Sequence, residues 1–467
     1  MKNKTRTQRL REESLPAVIL AAGEGYRLRG GNGGLPKPLT PLLGITLLER
    51  AILTCREAGI REFYVVVGCF EERMIPYIEE LGRRFGISVR AVQNPNWKEG
   101  NGTSALASCP YVNGSFLLPM CDHLFDPDII RRLIEAKDGA QSCLLAVDRR
   151  TDQIFDLKDA TKVRLDGKAI TAIGKGITPF DAVDAGLFLC RPDLFDALEK
   201  ARRAGDGSLT GGVQRLIGKG KIRAMEIGDR FWHDVDTPES LSHAKRYLLA
   251  RVSRSSEDGF IAQYLNRPLS RRISALLADT RLTPNAITIL NFLIGLCGAF
   301  LFSMGEYVWT LLAGLLIQLS SILDGCDGEI ARLKFQSGRF GAWLDTVLDR
   351  YADVAIAAGI SYGYWLTHPE PIIWLGGALA ITGFILASYT KKEYALCYQR
   401  QPPGGLLNKF IKRDVRLFAL LVGALLNRPY EGMILVGLLS HFGIVWIFIC
   451  AYRQRRHELQ GRKTETL

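Results

Sequence analysis

The second half of the chain contains apolar runs of the length that a membrane-spanning helix requires. About 20 apolar residues cross the hydrocarbon core as a helix. Four runs without Lys, Arg, Asp or Glu meet or approach that length: 286–304, 307–323, 372–390 and 432–452. Residues 417–426 form a shorter run between two arginines, and residues 340–367 are apolar only in their second part. Together these segments predict an all-α domain of six transmembrane helices over residues 284–467.

The basic residues alternate between the connections of these six predicted helices. One side holds few of them, whereas the other side holds most of the basic loop residues: Arg332, Lys334, Arg339, Lys391, Lys392, Arg400, Lys409, Lys412 and Arg413. Because positive charge marks the cytoplasmic face, both termini are predicted there, in a multi-pass protein of the cell membrane. Residues 1–14 lack a signal-peptide core, and the ten cysteines are scattered as in a reducing compartment.

The first half has the composition of a soluble domain. Mean hydropathy of the whole chain is only +0.06, because this half offsets the apolar half. The net charge of +12 is spread along the chain rather than gathered in an arm, so no nucleic-acid partner is expected. Residues 1–245 are predicted to form a cytoplasmic domain, and residues 246–283 a linker. Within the linker, residues 260–278 predict an amphipathic helix on the bilayer surface; a solvated linker helix is the alternative.

Short apolar strands alternate with helical segments throughout residues 1–245. This pattern predicts a Rossmann-like α/β domain with a mostly parallel sheet and ligands at the carboxyl ends of its strands. The first strand leads into a loop in which Gly23 and Gly25 let backbone amides approach a phosphate. Arg27 and Lys37 would supply positive charge to a triphosphate. The spacing matches neither a P-loop nor a dinucleotide-binding turn.

The longer string around this loop, LAAGEGYRL followed by PKPL, resembles the signature of the sugar-nucleotide pyrophosphorylase and nucleotidyltransferase family. The resemblance implies catalytic roles for Arg27 and Lys37, and nucleotide contacts from the loop and from the EGNGTS turn. It also implies a metal site after the strand FLLPM and in the closing motif WHDVDTPESL, and acceptor contacts in IGKG and DAGLF. The implied nucleotide-binding residues are Ala21, Ala22, Gly23, Gly25, Gly102 and Thr103. The implied metal ligands are Asp122, Asp234 and Asp236, and the implied acceptor-binding residues are Lys175 and Asp184. His123 and His233 are interpreted as structural. The glycine-rich insert 30–34 departs from the family pattern.

Four aspartates at helical spacing lie in the membrane half. Asp324 and Asp327 share one face of the second predicted span, and Asp345 and Asp349 share one face of the third. Since the connection is short, the two helices run antiparallel and the four carboxylates can converge. Unpaired carboxylates in a membrane are costly, so divalent cations are expected as their partners.

Glycines and an arginine of the same string suit a nucleotide: Gly328 and Gly341 leave room for it, and Arg332 can pair with a diphosphate. The pattern DxxDGxxARx8GxxxDxxxD is similar, position by position, to the signature of the CDP-alcohol phosphotransferase family, and LTPNAIT at 282–288 resembles that family's opening motif. The resemblance implies metal ligation by all four aspartates, with Asp349 also acting as general base. It implies nucleotide contacts from Gly328, Ala331, Arg332 and Gly341. Arg339, Arg350 and Lys391 are candidates for an acceptor phosphate, although membrane topology explains the lysine equally well.

The two resemblances together describe consecutive reactions, because the first domain would make a CDP-alcohol and the second would consume it. The pairing resembles the bifunctional enzymes of archaea and hyperthermophiles that join CTP and inositol 1-phosphate into CDP-inositol. These enzymes then transfer phosphoinositol to a second inositol 1-phosphate, giving phosphorylated di-myo-inositol phosphate. The implied cofactor is Mg²⁺, or Mn²⁺, in both sites, and the implied assembly is a homodimer through the membrane domain. Glycerol or another polyol, or a lipid alcohol as acceptor, remains an alternative; a regulatory binding protein and a transporter fit the intact acidic motifs less well.

Overall fold

The computed structural model describes residues 15–29, 34–137, 141–253, 259–402 and 412–464, with side chains described up to residue 455. Residues 1–14, most of the insert 30–34, part of the linker at 254–258 and Lys409 lie outside the described residues. The chain divides into two compact units, Met1–Arg246 and Tyr247–Leu467. The separate linker domain predicted between them stays a prediction.

The first unit is built on strands that are short and mostly buried. They are β1 (Ala17–Leu20), β2 (Pro41–Leu42), β3 (Ile45–Thr46), β4 (Glu62–Val67), β5 (Ser88–Gln93), β6 (Phe116–Pro119), β7 (His123–Phe125), β8 (Cys143–Asp148), β9 (Lys162–Asp166), β10 (Ala169–Gly174), β11 (Ala182–Cys190), β12 (Ile222–Glu226) and β13 (Trp232–Asp234). Strands β2 and β3 pair with each other, as do β7 and β13.

Nine of these strands form one sheet in the order β5-β4-β1-β6-β11-β8-β12-β10-β9. Pairing is parallel from β5 to β6 and between β8 and β12, whereas β10 and β11 run against their neighbours. The sheet is therefore mostly parallel in direction, as the alternation of strands and helices predicts. The carboxyl ends of β1 and β6 lie side by side at one edge, which places the loops that follow them together.

Both faces of the sheet are buried under helices. In β1, Ala17 and Ile19 face one apolar core while Val18 and Leu20 face the other, as the two-residue period of a strand requires. The covering helices are α2 (Leu47–Glu57), α3 (Glu71–Phe85), α4 (Asn101–Ala107), α5 (Pro127–Ala136), α6 (Asp193–Arg203) and α7 (Leu209–Ile217). The chain also forms α1 (Tyr26–Arg29) after β1 and α8 (Pro238–Val252) after β13.

The second unit is helical. Its helices are α9 (Arg267–Ala278), α10 (Pro284–Ser303), α11 (Tyr307–Leu333), α12 (Arg339–Trp365), α13 (Ile372–Tyr398), α14 (Arg413–Leu425) and α15 (Pro429–Thr464). The motif LTPNAIT starts α10: Thr283 accepts a hydrogen bond from the Ala286 amide, and Pro284 follows as the first helical residue.

A helix lies at each of the six predicted spans, but these helices differ in whether they are long and apolar enough to cross a membrane. Within the described residues, four helices are long and apolar enough to cross a membrane: Pro284–Ser303, Tyr307–Leu333, Ile372–Tyr398 and Pro429–Arg455. That α12, which carries the aspartates, and the short α14 also cross the membrane stays a prediction.

The predicted amphipathic helix packs in an unexpected direction. Its buried stripe is small or polar, comprising Asn266, Ser270, Ser274 and Ala278, and it lies against α11. Its large side chains divide between two directions: Ile273 and Leu277 pack partly buried against an apolar cluster, whereas Leu276 is 76% exposed. A helix with a small polar face can approach its neighbour closely. That the exposed side of this helix rests on a bilayer surface stays a prediction.

Candidate active sites

In the first unit, the glycine-rich loop begins where β1 ends. Ala21 and Ala22 are buried, and the Ala21 amide donates to the Val66 carbonyl at 2.9 Å, which extends the pairing of β1 with β4. Gly25 has φ +61°, and a Cβ atom at this position would overlap the Lys37 side chain. Glycine is therefore required twice here, for the left-handed backbone and for the passage of Lys37.

Lys37 is the centre of the charged groups in this site. Its Nζ lies 2.6 Å from Asp122 Oδ2 and also contacts Asp236, while Arg27 Nη2 lies 2.6 Å from the other Asp236 oxygen. Burial alone would lower the pKa of Lys37, but Asp122, Asp234 and Asp236 outweigh it and raise the pKa well above its usual value. The structure thus brings together two predicted cations and two predicted acidic residues.

Asp159 extends this group to Lys175. Arg27 Nη1 lies 2.7 Å from Asp159 Oδ2, and Lys175 Nζ lies 2.5 Å from Asp159 Oδ1. One carboxylate therefore bridges the two cations that were predicted to handle the substrate phosphates. Asp159 was not predicted from the sequence, because it lies in an irregular segment before β9 and belongs to no recognised motif.

Three ligand atoms that suit a divalent cation converge beside Lys37. Asp122, His123 and Asp234 each offer one atom, all within 4.8 Å of one another, because β7 and β13 pair His123 with Asp234. Asp234 Oδ1 is buried and has no hydrogen-bond partner among the described residues. Two carboxylates and an imidazole, with one oxygen still unsatisfied, fit a cation such as Mg²⁺ or Mn²⁺.

His123, interpreted from the sequence as structural, thus lies inside this group as well as stacking on Trp232. Burial would lower its pKa, but Asp234 and Asp122 raise the pKa to about 9. Burial also raises the pKa of Asp234 to about 6. For Asp122 the effect of burial is outweighed by Lys37 and His123, which hold its pKa below the usual range. Asp122 is therefore ionised near neutral pH, as a metal ligand must be.

Asp184 lies next to the same imidazole. Its Oδ1 accepts a hydrogen bond from the Gly186 amide at 2.7 Å, and burial raises its pKa to about 6. Gly186 has φ +72°, and a Cβ atom there would overlap the His123 ring. The predicted acceptor-binding residue Asp184 therefore borders the metal-binding candidates.

The predicted nucleobase-binding turn is stabilised by hydrogen bonds of its own residue Thr103. Thr103 Oγ1 donates to the Gly100 carbonyl at 2.8 Å and accepts from Asn94 at 3.1 Å, while the Thr103 amide donates to the Gly207 carbonyl. A Cβ atom on Gly102 would lie 2.6 Å from that same carbonyl oxygen. The Thr103 side chain thus holds the turn in shape, and its predicted contact with a base stays a prediction.

In the second unit, three of the four motif aspartates converge. Asp324, Asp345 and Asp349 each offer one oxygen within 4.8 Å of the others, an all-oxygen set that suits Mg²⁺ or Mn²⁺. The Asp327 carboxylate instead accepts hydrogen bonds of 2.5 Å from Thr288 Oγ1 and from the Gly328 amide. Helical spacing predicted a common face, but not that Thr288 of the LTPNAIT motif would hold one of the four.

Arg413 enters this acidic group from α14. Its Nη1 lies 3.0 Å from Asp324 Oδ1 and 2.8 Å from Asp349 Oδ1. From the sequence, Arg413 was predicted only to lie among the basic residues of the cytoplasmic face. Nothing local distinguishes it from the other basic residues near the predicted helix ends.

The remaining predicted residues surround this group at different positions. Arg350 on α12 lies 3.6 Å from Asp349, and its Nη1 donates to Ser388 Oγ at 2.6 Å. Arg332 Nε and Nη2 donate to the Val252 carbonyl at 3.1 and 2.7 Å. Gly341 faces Asn285, close to the start of α10. The other predicted residues lie on the same helices: Gly328 and Ala331 on α11, Arg339 at the exposed start of α12, and half-buried Lys391 on α13.

Two family models match successive parts of the chain. Residues 17–221 match the MobA-like NTP transferase domain, and residues 281–451 match the CDP-alcohol phosphatidyltransferase family. A bifunctional IPC transferase and DIPP synthase from Rubrobacter xylanophilus is 37% identical over 92% of this chain and 94% of its own length. The chain belongs to this family of bifunctional IPC transferases and DIPP synthases.

A second member of the family, from Thermococcus kodakarensis, is 35% identical over 86% of this chain and 88% of its own length. A solved inositol-1-phosphate CTP transferase from T. maritima is 27% identical, with a TM-score of 0.46, and covers 50% of this chain and 94% of that one.

Membership of the bifunctional family confirms the prediction of two transferases on one chain. The first is a nucleotidyltransferase, and the second, in the helical unit, is a CDP-alcohol phosphotransferase. With four apolar helices of spanning length, the chain is a membrane protein.

Proposed function

We propose that the first unit joins CTP and inositol 1-phosphate into CDP-inositol and diphosphate. The second unit then transfers phosphoinositol from CDP-inositol to another inositol 1-phosphate, releasing CMP and forming phosphorylated di-myo-inositol phosphate. The observation that carries this proposal is the presence of two separate acidic clusters, one in each unit, each contacted by a cationic side chain. Family membership supports inositol as the alcohol.

In the first reaction, a phosphate oxygen of inositol 1-phosphate attacks the α-phosphorus of CTP and diphosphate leaves. Lys37 and Arg27 hold the triphosphate and compensate the charge that develops on it. Lys175 orients the phosphate of inositol 1-phosphate, and Asp184 accepts a hydrogen bond from an inositol hydroxyl. Asp159 keeps Arg27 and Lys175 at adjacent positions before the substrates arrive.

In the second reaction, a hydroxyl of the acceptor attacks the β-phosphorus of CDP-inositol, and CMP leaves. Asp349 takes the proton of that hydroxyl as general base. Gly328 and Gly341 leave room for the nucleotide, while Arg350, Arg339 and Lys391 receive the phosphate of the acceptor.

We assign Mg²⁺ as the natural cation of both sites, with Mn²⁺ as a substitute. Asp122 and Asp234, with His123 as the third candidate ligand, would hold it in the first unit. Asp324, Asp327, Asp345 and Asp349 would hold it in the second. A bound divalent cation supplies neutralisation of the negative charge on the reacting phosphates.

We further propose that the six helices α10–α15 all cross the membrane, with both sites on the cytoplasmic side, and that the helical unit forms a homodimer. Added CDP-inositol is charged and does not cross a bilayer, so it reaches only the outer side of a sealed vesicle. Inside-out vesicles, which expose the cytoplasmic side, are therefore expected to convert it. Turnover by sealed right-side-out vesicles would reverse the assigned orientation. Mass measurement of the purified protein in nanodiscs tests the dimer.

The reaction test supplies purified full-length protein with labelled CTP, Mg²⁺ and a panel of alcohol phosphates. We expect inositol 1-phosphate to be used, with the products CDP-inositol and then phosphorylated di-myo-inositol phosphate. The Asp122→Asn variant should form neither product from CTP, yet should still convert supplied CDP-inositol. The Asp349→Asn variant should accumulate CDP-inositol.

Use of glycerol phosphate or a sugar phosphate in place of inositol 1-phosphate would contradict the assigned alcohol. Formation of the final product by the Asp349→Asn variant would contradict the assigned base.

A further inference from the structure

Asp353 is a buried carboxylate one helical turn beyond Asp349 on α12. It is only 5% exposed and falls outside the DxxDGxxARx8GxxxDxxxD pattern. Its two oxygens contact three guanidinium groups, each at 3.1 Å: Arg350 from its own helix, and Arg413 and Arg416 from α14. One carboxylate therefore ties α12 to α14 through three cations.

Two of the three arginines, Arg350 and Arg416, keep buried N–H groups without a hydrogen-bond partner among the described residues. Arg416 is 4% exposed, yet its Nε and Nη1 have no hydrogen-bond partner in the part of the chain that the structure describes. The Nε of Arg350 is also buried and unpartnered in that part. Buried guanidinium donors without acceptors are costly, so an anionic ligand that accepts from them is the expected complement.

The other acidic partners of Arg413 have a different role. Asp324 and Asp349 belong to the converging group that fits a divalent cation, whereas Asp353 does not. Asp353 is thus the carboxylate that stays available to the arginines when the cation is bound. It also lies on the same helical face as the general base, since Asp353 is four positions after Asp349 on the same helix.

We propose that Asp353 is a positioning residue for the acceptor: it holds Arg350 and Arg416 so that their unpartnered N–H groups receive the acceptor's phosphate. The proposal rests on the function proposed for the helical unit. The ion pairs of Asp353 are with arginines and not with the predicted nucleotide residues Gly328 and Gly341, so binding of CDP-inositol should not depend on Asp353.

The test uses full-length protein in nanodiscs, supplied directly with CDP-inositol, and measures CMP release while inositol 1-phosphate is varied. Asp353→Asn keeps the shape of the side chain but removes its charge, so the guanidinium groups lose their common anchor. We expect the KM for inositol 1-phosphate to rise about tenfold or more, because a displaced binding group weakens the orientation of its substrate. The KM for CDP-inositol should stay unchanged, and Asp353→Glu should recover part of the acceptor affinity.

Glu329→Gln is the matched control. Glu329 is also fully buried and pairs with an arginine, Arg267, at 3.2 Å, but on the side of α11 that faces α9. Removal of the Glu329 charge should lower the thermal midpoint of the protein without changing the KM for inositol 1-phosphate. Should Asp353→Asn fail to fold, Arg416→Lys keeps the positive charge while losing the planar fork, and should raise the same KM.

An unchanged acceptor KM in the folded Asp353 or Arg416 variant, with only kcat or the thermal midpoint reduced, overturns the proposal. A wild-type protein that releases no CMP from CDP-inositol overturns instead the function on which the proposal rests.

Discussion

Asp234 and Asp236 lie two residues apart in one motif but face different partners. Asp234 leaves one oxygen unsatisfied within the group formed with Asp122 and His123, whereas Asp236 is engaged by Lys37 and Arg27. Both were predicted to bind metal. In the structure Asp234 Oδ1 lies 3.7 Å from His123 Nδ1 and has no hydrogen-bond partner among the described residues, whereas the two Asp236 oxygens contact Lys37 and Arg27.

This difference predicts separate effects of two matched variants on CDP-inositol formation. Asp234→Asn should raise the Mg²⁺ concentration needed for half-maximal activity by about tenfold or more, because a candidate ligand is lost. Asp236→Asn should lower activity at saturating Mg²⁺ with a smaller change in that concentration, because Lys37 and Arg27 lose an anchor. The measurement is activity against Mg²⁺, repeated with Mn²⁺; equal metal dependence in the two variants would contradict the assignment.

Most of the site residues that were predicted from the sequence lie within a recognisable sequence motif. Lys37, Asp122 and Asp349 stand in strings whose spacing is informative. Asp159 and Arg413 do not, because their partners lie far away in the chain and only folding brings them into contact. The motifs indicated which residues lie in the two candidate sites, but not which of them form ion pairs with one another.

Among the elements, α10 and α12 pack closely through small residues. A Cβ atom on Gly359 would overlap the Ala299 carbonyl, and one on Gly363 would overlap the Phe302 carbonyl. Small residues at such positions let helix backbones approach where no hydrophobic effect drives association. Since α12 carries Asp345 and Asp349, the position of these carboxylates depends on this packing.

Gly359→Ala should therefore force the two helices apart. We expect a loss of about 1–3 kcal/mol, as for other overpacked sites, visible as a lower thermal midpoint. Transfer from supplied CDP-inositol should fall, while CDP-inositol formation is retained. Gly338→Ala is the control, because a Cβ atom there meets nothing within 4 Å. A Gly359→Ala protein that matches this control in midpoint and transfer rate would show that the close approach is not required.

The six helical segments of the second unit were predictable because each apolar run is local in sequence. The orientation of α9 was not, since amphipathic periodicity alone does not say which face meets protein. Asn266 and Ser270 turn inward because α11 offers Ser321 and Glu329 as partners. This choice depends on the neighbouring helix.

The whole molecule consists of two units that each contain their own apolar core and their own acidic cluster. No residue of one cluster belongs to the other unit. If each cluster serves the reaction proposed for its own unit, free CDP-inositol can serve as the link between them.

This separation predicts complementation in solution. A mixture of full-length Asp122→Asn and Asp349→Asn proteins should form the final product from CTP and inositol 1-phosphate, although neither variant does so alone. The doubly substituted protein mixed with either single variant is the control and should not form it. A mixture that makes no final product, while each variant retains its remaining half-reaction, would show that the intermediate does not pass between chains.

The two fold classes, the helical segments of the membrane half, the two transferase families and most residues of both acidic clusters were predictable from the sequence. These properties are carried by local patterns: strand and helix periodicity, uncharged runs and fixed aspartate spacing. The pairing of the charges, including Arg27 with Asp159 and Arg413 with Asp324, became visible only in the folded chain. Contacts between residues far apart in the chain depend on packing, and packing decided the partners of Asp236, Asp327 and Asp353.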